Sequence, residues 1–260
     1  WSRAEWLRNQ TLGGVVAKES PVGFSWRSVA GGEYQEKLAG QFNGNFAARE
    51  LLIRLTCEGW YRAFRQSPLE AGIILGKEDF LFLEAYLREY CFERPPLENL
   101  DSLAGNLRSL QDVCDRMGIA FVFLITPSKA SVMPEYIPER WLQRYDPRPR
   151  AYDQLLPLLE AHGVHFVDGH ALSVEARGGA QSPVFPKGGI HWGSYAAWMS
   201  ANAVVRGLIA QGKTLKPIAI VGSQETDLPE GADDDLLKLM NLTTPWRYPF
   251  SLNDMGSAEP

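Results

Sequence analysis

One stretch of the chain, Ile119–Ile125, consists of seven apolar residues without interruption. Such a run is typical of a strand buried on both faces, as in a parallel sheet covered by helices on both sides. An amphipathic helix predicted over residues 98–117 precedes it, and Gly118 is suited to end that helix. A second predicted helix, over 152–162, is likewise followed by an apolar strand, over 164–167. Alternating helices and buried strands predict an α/β fold with a mostly parallel sheet.

The pattern divides the chain into two parts. Residues 1–70 are predicted to form an irregular and helical lead-in that packs on the core, including a helix over 47–65 with core-directed apolar residues. Residues 71–260 carry the strands and form the α/β domain. Reactive groups of such a sheet lie on loops after the carboxyl ends of strands. Three loops meet this description: residues 126–130, 168–170 and 222–224, the last after a strand predicted over 217–221.

Composition excludes several classes of function. The formal net charge is −5 and Lys and Arg form no block, which argues against a nucleic-acid partner. No apolar run is long enough to span a membrane. The three cysteines fit no metal-site spacing, although a Cys57–Cys91 disulfide is possible in an exported protein. The chain begins with Trp1, so we expect a processed or trimmed form.

The histidines differ in context. His162 lies at a helix end, where a cation suits the helix dipole, and His165 lies in a strand. His170 and His191 lie on predicted loops. His191 is preceded by a proline and two glycines and followed by Trp192, so the backbone shape is specified where a general base would need to be placed. The alternative is a loop histidine that is hydrogen-bonded to a carbonyl. Asp168, His170 and His191 match no metal-binding signature, so no metal is expected.

Six segments, in order along the chain, resemble motifs of the alginate O-acetyltransferase-like (AlgJ/AlgX-like) family. They correspond to an aromatic–arginine helix, a G-K-D-G-W-L-F turn, a P-x-K-x-x-x-x-P-E loop, an aspartate after a strand, a Y-x-K-T-D-T-H-W segment and a D-L-x-x-L-L-N-L helix. In this chain the segments are Phe42–Arg49, Gly76–Phe82, Leu124–Glu135, Asp168, Phe185–Ala197 and Asp235–Leu242.

The resemblance implies an SGNH-hydrolase-like three-layer sandwich with a Ser-His-Asp triad for acyl transfer. His191 matches the family's histidine, but Gly189 stands where the family has the orienting aspartate, so Asp168 becomes the best candidate for that role. Substrate binding would fall to Trp192, Lys187 and Lys129.

The nucleophile is not evident from the resemblance. The family carries Gly-Asp-Ser after a further strand, downstream of the D-L-x-x-L-L-N-L helix, and no such motif occurs before Pro260, so we expect a chain that is truncated at its C-terminus. Ser223, in Val221-Gly222-Ser223, is the leading serine present, ahead of Ser128 and Ser194.

The implied function is O-acetylation of hydroxyls on an exported polysaccharide, alginate-like or another exopolysaccharide. It would require no cofactor and would take acetyl groups from a membrane-bound donor protein. The expected location is the periplasm or another exported location, with an N-terminal membrane anchor left open. The alternatives are an inactive relative that binds polysaccharide or a partner, and an acetyl esterase of small substrates.

Overall fold

The structure is a computed structural model that describes residues 12, 25–30, 32, 34–37, 49–67, 72–177, 184–227, 233–244 and 246–257. The chain divides into two compact units. The first comprises Trp1–Ile73 and Leu237–Pro245, and the second comprises Ile74–Leu236 and Trp246–Pro260. Residues 237–245, which the sequence pattern assigned to the α/β domain, therefore belong to the first unit. The packing of residues 1–70 on the core stays a prediction.

The described elements follow in chain order. The helices are α1 (Trp26–Ala30), α2 (Arg49–Phe64), α3 (Glu84–Cys91), α4 (Leu97–Arg116), α5 (Lys129–Val132), α6 (Glu139–Leu142), α7 (Ala151–Ala161), α8 (Gly169–Arg177), α9 (Ser194–Ala210) and α10 (Asp235–Leu239). The strands are β1 (Ile73–Leu75), β2 (Leu81–Leu83), β3 (Phe123–Ile125), β4 (Phe166–Asp168), β5 (Ile218–Thr226) and β6 (Phe250–Ser257). Short 3₁₀ turns span Lys77–Asp79 and Pro134–Tyr136.

Helix α2 confirms the predicted helix over 47–65 but not its predicted orientation. The apolar side chains expected in the core, Leu51, Leu52 and Leu55, are about half exposed. The buried positions include Glu58, whose carboxylate accepts hydrogen bonds from the backbone N–H and the hydroxyl of Thr243, each at 3.0 Å. The contact that buries this helix is therefore made by polar groups, which a pattern of apolar residues does not reveal.

A tight hairpin opens the second unit. Strands β1 and β2 pair with each other, and the five residues between them are too few for a parallel crossover, so the pair is antiparallel. Gly76 is required at the turn, because a Cβ atom there would lie 2.4 Å from the Tyr136 carbonyl oxygen. Glu78 and Asp79 adopt positive φ angles of 52° and 66°. The segment Gly76–Phe82, which the sequence analysis singled out as a turn motif, contains this turn.

The central strands β3 and β4 are parallel, with Phe123 opposite Phe166 and Ile125 opposite Asp168. Helices α4 and α7 pack against them through the buried residues Ala104 and Leu159, together with Val164 just before β4. This arrangement confirms an α/β unit. The mostly parallel sheet is not confirmed, since the described strands form three separate pairs and two of these are antiparallel.

Strand β3 is shorter than the predicted apolar run. Within the apolar run, Phe121 is hydrogen-bonded to the Gln211 side chain and not to a neighbouring strand. The Gln211 amide oxygen accepts from Phe121 N–H at 3.0 Å, and its amide nitrogen donates to Phe121 O at 2.9 Å. A side chain thus satisfies the backbone groups that a neighbouring strand would satisfy in a wider sheet.

Strands β5 and β6 form a long antiparallel pair from Ile218 opposite Ser257 to Thr226 opposite Phe250. The strand predicted over 217–221 therefore continues through 222–224, which was predicted to be a loop. The register shifts between Ile220 and Gly222, where Val221 has no partner in the ladder.

All three cysteines are free thiols in the structure; Cys57 and Cys91 are buried, and Cys114 is partly buried. Among the described residues, no helix is both long enough and apolar enough to cross a membrane.

Candidate active site

Residues 184–193 lack helix and strand and lead into α9 with His191 near their end. Much of this segment is buried, including Phe185, Pro186, Gly188 and Gly189. Buried backbone groups outside regular structure need hydrogen-bond partners from elsewhere in the chain. The partners that the structure provides therefore determine where His191 is held.

Lys129 provides the largest share of these partners. Its ammonium group donates to the carbonyl oxygens of Pro186 at 2.6 Å, Lys187 at 3.0 Å and Gly189 at 2.9 Å. Three ammonium protons meet three acceptors, and only 3% of the residue is exposed. The prediction that Lys129 binds substrate is therefore replaced by an internal role, in which it holds the histidine segment.

Opposing effects act on the pKa of the Lys129 ammonium group. Burial lowers the pKa of its ammonium group well below the usual range, and the Asp235 carboxylate opposes this shift. The three carbonyls also favour the protonated form, since a neutral amine has only two N–H donors.

Lys187 lies on the same segment but projects differently. Its backbone oxygen accepts from Leu81 N–H at 2.9 Å, and its ammonium group donates to Glu78 O at 2.9 Å and lies 5.4 Å from the centre of the Phe80 ring. The segment is thus attached to the β1–β2 hairpin. Lys187 is partly exposed, which is compatible with its predicted contact with substrate.

Tyr248 holds the glycine pair from another direction. Its buried hydroxyl accepts from Gly188 N–H at 3.1 Å and donates to Asp233 O at 2.9 Å. Burial is the main cause of the raised pKa of this phenol, so it stays a hydrogen-bond donor at neutral pH.

Tyr248→Phe is expected to lower the free energy of unfolding by about 1–3 kcal/mol, because the buried Gly188 N–H loses its acceptor. Urea denaturation checks this value. Tyr86→Phe is the matched control, since Tyr86 is 40% exposed and should change stability by no more than about 0.5 kcal/mol. Equal stability of the two variants would contradict the anchoring role of Tyr248.

His191 emerges from this anchored segment with 65% of its side chain exposed. Its Nε2 atom lies 3.4 Å from Oδ2 of Asp235. Asp235 is itself fixed, because its Oδ1 atom accepts from Ile190 N–H at 2.8 Å and from Leu236 N–H at 2.7 Å. A carboxylate beside an imidazole stabilises the imidazolium that forms when the histidine takes a proton, so the pair is suited to acid–base chemistry.

Trp192 and Asp168 have different surroundings. Trp192 is partly buried and packs against the apolar core that includes Phe82 and Phe185. Both carboxylate oxygens of Asp168 are engaged near its own strand, since Tyr152 donates its hydroxyl to Oδ2 at 2.7 Å and Ala171 N–H donates to Oδ1 at 2.9 Å. The carboxylate found beside His191 is therefore Asp235, in place of the expected Asp168.

Ser223 lies within β5, exposed and opposite Asn253 of β6. Asn253 donates from its backbone N–H at 3.2 Å and from its side chain at 3.0 Å to the hydroxyl oxygen of Ser194, at the start of α9. The expected nucleophile turn at 222–224 is absent because this stretch is paired as a strand. Among the hydrogen bonds of the described residues, none joins His191 to a serine hydroxyl.

Asp168, His170 and His191 are the residues that the sequence analysis considered as metal ligands. In the part of the chain that the structure describes, no group of three or more His, Cys, Asp or Glu side chains is arranged to hold a metal ion.

A comparison with known protein families gives a match over the segment from β1 to β6. The sequence model described as "SGNH hydrolase-like domain, acetyltransferase AlgX" matches residues 73–254, well over half of the chain. The chain belongs to this AlgX-type family. The SGNH-hydrolase-like α/β domain implied by the sequence motifs is thereby confirmed.

Solved structures similar to this AlgX-type chain include two from Pseudomonas. The O-acetyltransferase domain of Pseudomonas putida AlgJ has 21% identity and a TM-score of 0.49, over 72% of this chain and 66% of that chain. Pseudomonas aeruginosa AlgX has 17% identity and a TM-score of 0.47, over 71% of this chain and 44% of that chain. A DHHW family protein from Eubacterium siraeum has 17% identity and a TM-score of 0.37, over 58% and 47%.

This AlgX-type chain therefore spans just under two thirds of the AlgJ domain structure and less than half of the AlgX structure. No curated protein matches it in sequence.

The chain departs from the AlgX-type motif at Gly189, where the motif has an aspartate two residues before the histidine. The structure brings a carboxylate to the same histidine from Asp235. Sequence reasoning noted Asp235 as the first residue of a family-like helix but gave it no role. The Asp235–Leu242 motif was the sequence signal that could have identified this carboxylate. Spacing along the chain, however, does not reveal which side chains come into contact.

Proposed function

We propose that this chain is an O-acetyltransferase domain that acts on hydroxyls of an exported polysaccharide, with His191 and Asp235 as its acid–base pair. Membership of the AlgX-type family supports the reaction class. The observation that carries the assignment is the 3.4 Å approach of Asp235 Oδ2 to His191 Nε2, at the end of a segment held by Lys129 and Tyr248.

In the proposed reaction, His191 takes a proton from an attacking hydroxyl as its oxygen bonds to the acetyl carbon. The ester C–O bond of the donor breaks, and the histidine returns the proton to the leaving oxygen. Asp235 stabilises the transient imidazolium. With a serine as first attacker, an acetyl-enzyme forms, and the polysaccharide hydroxyl repeats the same step.

Trp192 and Lys187 are the proposed substrate contacts. Trp192 offers part of an apolar ring next to His191, and Lys187 makes one described hydrogen bond through an ammonium group that has three N–H donors. The proposed acceptor is an exopolysaccharide, alginate-like or another, the proposed donor is a membrane-bound acetyl carrier, and the proposed location is the periplasm.

The test is acetyl transfer from p-nitrophenyl acetate to a polysaccharide acceptor. We expect acetate release, and acetyl esters on the polysaccharide detected by mass spectrometry after its depolymerisation. Acetate release without acetylated polysaccharide would support a small-substrate esterase instead. An absence of both products would contradict the enzymatic proposal.

Ser223 stays a prediction as the nucleophile, and Ser223→Ala tests it. If Ser223 forms the acetyl-enzyme, the variant should lose at least about 10²-fold in acetate release with unchanged stability. Ser194→Ala is the comparison variant, since Ser194 is already bonded to Asn253. An unchanged rate in Ser223→Ala would exclude Ser223 as the nucleophile.

A non-catalytic relative that binds polysaccharide is the second candidate function. The glycine at 189 and the lack, among the described residues, of a serine bonded to His191 favour it. Such a protein would be inert toward the ester and would still retard polysaccharide in a gel-shift assay. Acetylated polysaccharide from the wild type would contradict it.

A further inference from the structure

A cleft of about 460 Å³, including the part that opens to solvent, lies at the carboxyl ends of β3 and β4. Thr126 and Ser128 line it from the loop after β3, and His170 lines it from the start of α8, after β4. Clefts at this edge of a parallel strand pair are where α/β proteins bind ligands. The residues assigned above to acid–base chemistry, His191 and Asp235, are not among those that line this cleft.

The imidazole of His170 is held at the wall of this cleft. Its Nδ1 atom lies 3.2 Å from the Ser131 hydroxyl, and the Tyr152 ring meets it edge-on with 4.4 Å between ring centres. The Ser131 hydroxyl also donates to Ser128 O at 2.9 Å. Ser131 therefore keeps a partner when His170 is replaced. Among the described residues Nε2 of His170 makes no hydrogen bond, which leaves it for a ligand.

Arg150 and two tyrosines form another wall. The guanidinium of Arg150 lies 5.2 Å from the centre of the Tyr90 ring and 5.9 Å from that of Tyr152. Its Nε and Nη2 atoms donate to the Asp153 carboxylate at 2.9 and 2.8 Å. Among the described residues Nη1 has no such acceptor, so this wall offers apolar ring surface beside a free donor.

The charges around the cleft do not favour an anion. Arg150 is neutralised by Asp153, and burial lowers the pKa of His170 while Asp168 opposes the shift. The carboxylate of Glu89, whose pKa burial raises, also lines the cleft. Since the one lining arginine is already paired with Asp153 and a carboxylic acid lies beside it, the lining offers a negatively charged ligand no unpaired cation.

We propose that this cleft binds a neutral sugar ring, as a glycan subsite separate from the His191–Asp235 pair. Each hydroxyl of a sugar both donates and accepts hydrogen bonds. The cleft offers acceptors in Glu89 and donors in Arg150, with hydroxyl groups and His170 able to serve either way. The Tyr90 and Tyr152 rings provide apolar surface for the C–H groups of the ring. The role of this subsite in holding a polysaccharide rests on the proposed function, whereas sugar binding itself does not.

The test is isothermal titration of the wild-type chain with neutral hexasaccharides of glucose, mannose and galactose and with a hexauronate of equal length. At least one neutral hexasaccharide should bind, and the hexauronate should bind more weakly, above all at low salt. His170→Ala should weaken the neutral sugar about tenfold, as expected when a buried polar contact to a ligand is lost. The matched control is His165→Ala, because His165 is exposed and does not line the cleft.

Any one of three results would overturn the proposal. The first is that no neutral hexasaccharide binds at millimolar concentration. The second is that the hexauronate binds as tightly as the neutral hexasaccharides or more tightly, and the third is that His170→Ala binds the neutral sugar as well as the wild type does. His191→Ala separates this proposal from the proposed function, because it should keep sugar binding while it loses acetate release. Sugar binding by a wild-type chain with no acetyl-transfer activity would contradict the proposed function but would still support the sugar subsite.

Discussion

His191→Ala is expected to reduce acetate release from p-nitrophenyl acetate by about 10²- to 10⁴-fold, the range for loss of a general acid–base catalyst. The imidazole is largely exposed, and its segment is held by contacts to Pro186, Gly188 and Gly189. Removal of the ring should therefore leave the fold intact.

The controls for this variant are chemical and structural. His165→Ala removes another exposed imidazole and should keep the wild-type rate. Thermal unfolding of His191→Ala should match the wild type within about 0.5 kcal/mol, as for a surface substitution. Wild-type turnover in His191→Ala would contradict the catalytic assignment.

Lys129→Met is expected to have the largest effect on stability. Methionine has a similar unbranched shape but no donors, so the carbonyls of Pro186, Lys187 and Gly189 lose their shared partner. A buried acceptor without a partner costs about 1–3 kcal/mol, and two are left here, because Lys187 O keeps its hydrogen bond from Leu81 N–H. Loss of a desolvated charge offsets part of this cost. The net decrease in the free energy of unfolding should be about 3–5 kcal/mol.

Urea denaturation measures the effect, and Lys187→Met is the matched control. The Lys187 ammonium has one described acceptor, Glu78 O, in an exposed hydrogen bond, so its loss should cost less than about 1 kcal/mol. Equal stability of the two lysine variants would contradict the account of the segment. Lys129→Met should also lower acetate release more than its remaining folded fraction explains, since His191 would no longer be held in place.

The sequence predicted what local pattern determines. Helices α4 and α7 were predicted because amphipathic spacing is a local signal, and the end of α4 was predicted because Gly118 suits a left-handed cap, as its φ angle of 70° shows. His191 was singled out because the proline and glycines before it specify backbone shape.

Long-range contacts account for what the sequence did not predict. The strand containing Ser223 continues because β6 pairs with it, and β6 begins only after an intervening segment that includes α10. The apolar run before Ile125 is only partly a strand because a glutamine side chain satisfies Phe121. Asp235, and not Asp168, lies beside His191 because of where the start of α10 is placed in three dimensions. Patterns of hydrophobicity carry no information on which distant side chains come into contact.

The central claim is that His191 and Asp235 act as one unit, with Asp235 in place of the aspartate missing at Gly189. A double-mutant cycle of acetate release with His191→Ala, Asp235→Asn and both together tests it most directly. We expect Asp235→Asn alone to lose about 10²- to 10⁴-fold, and the double variant to be no slower than His191→Ala, because a carboxylate has no imidazolium to stabilise once the imidazole is gone. Wild-type turnover in Asp235→Asn, or losses that multiply in the double variant, would contradict the pairing.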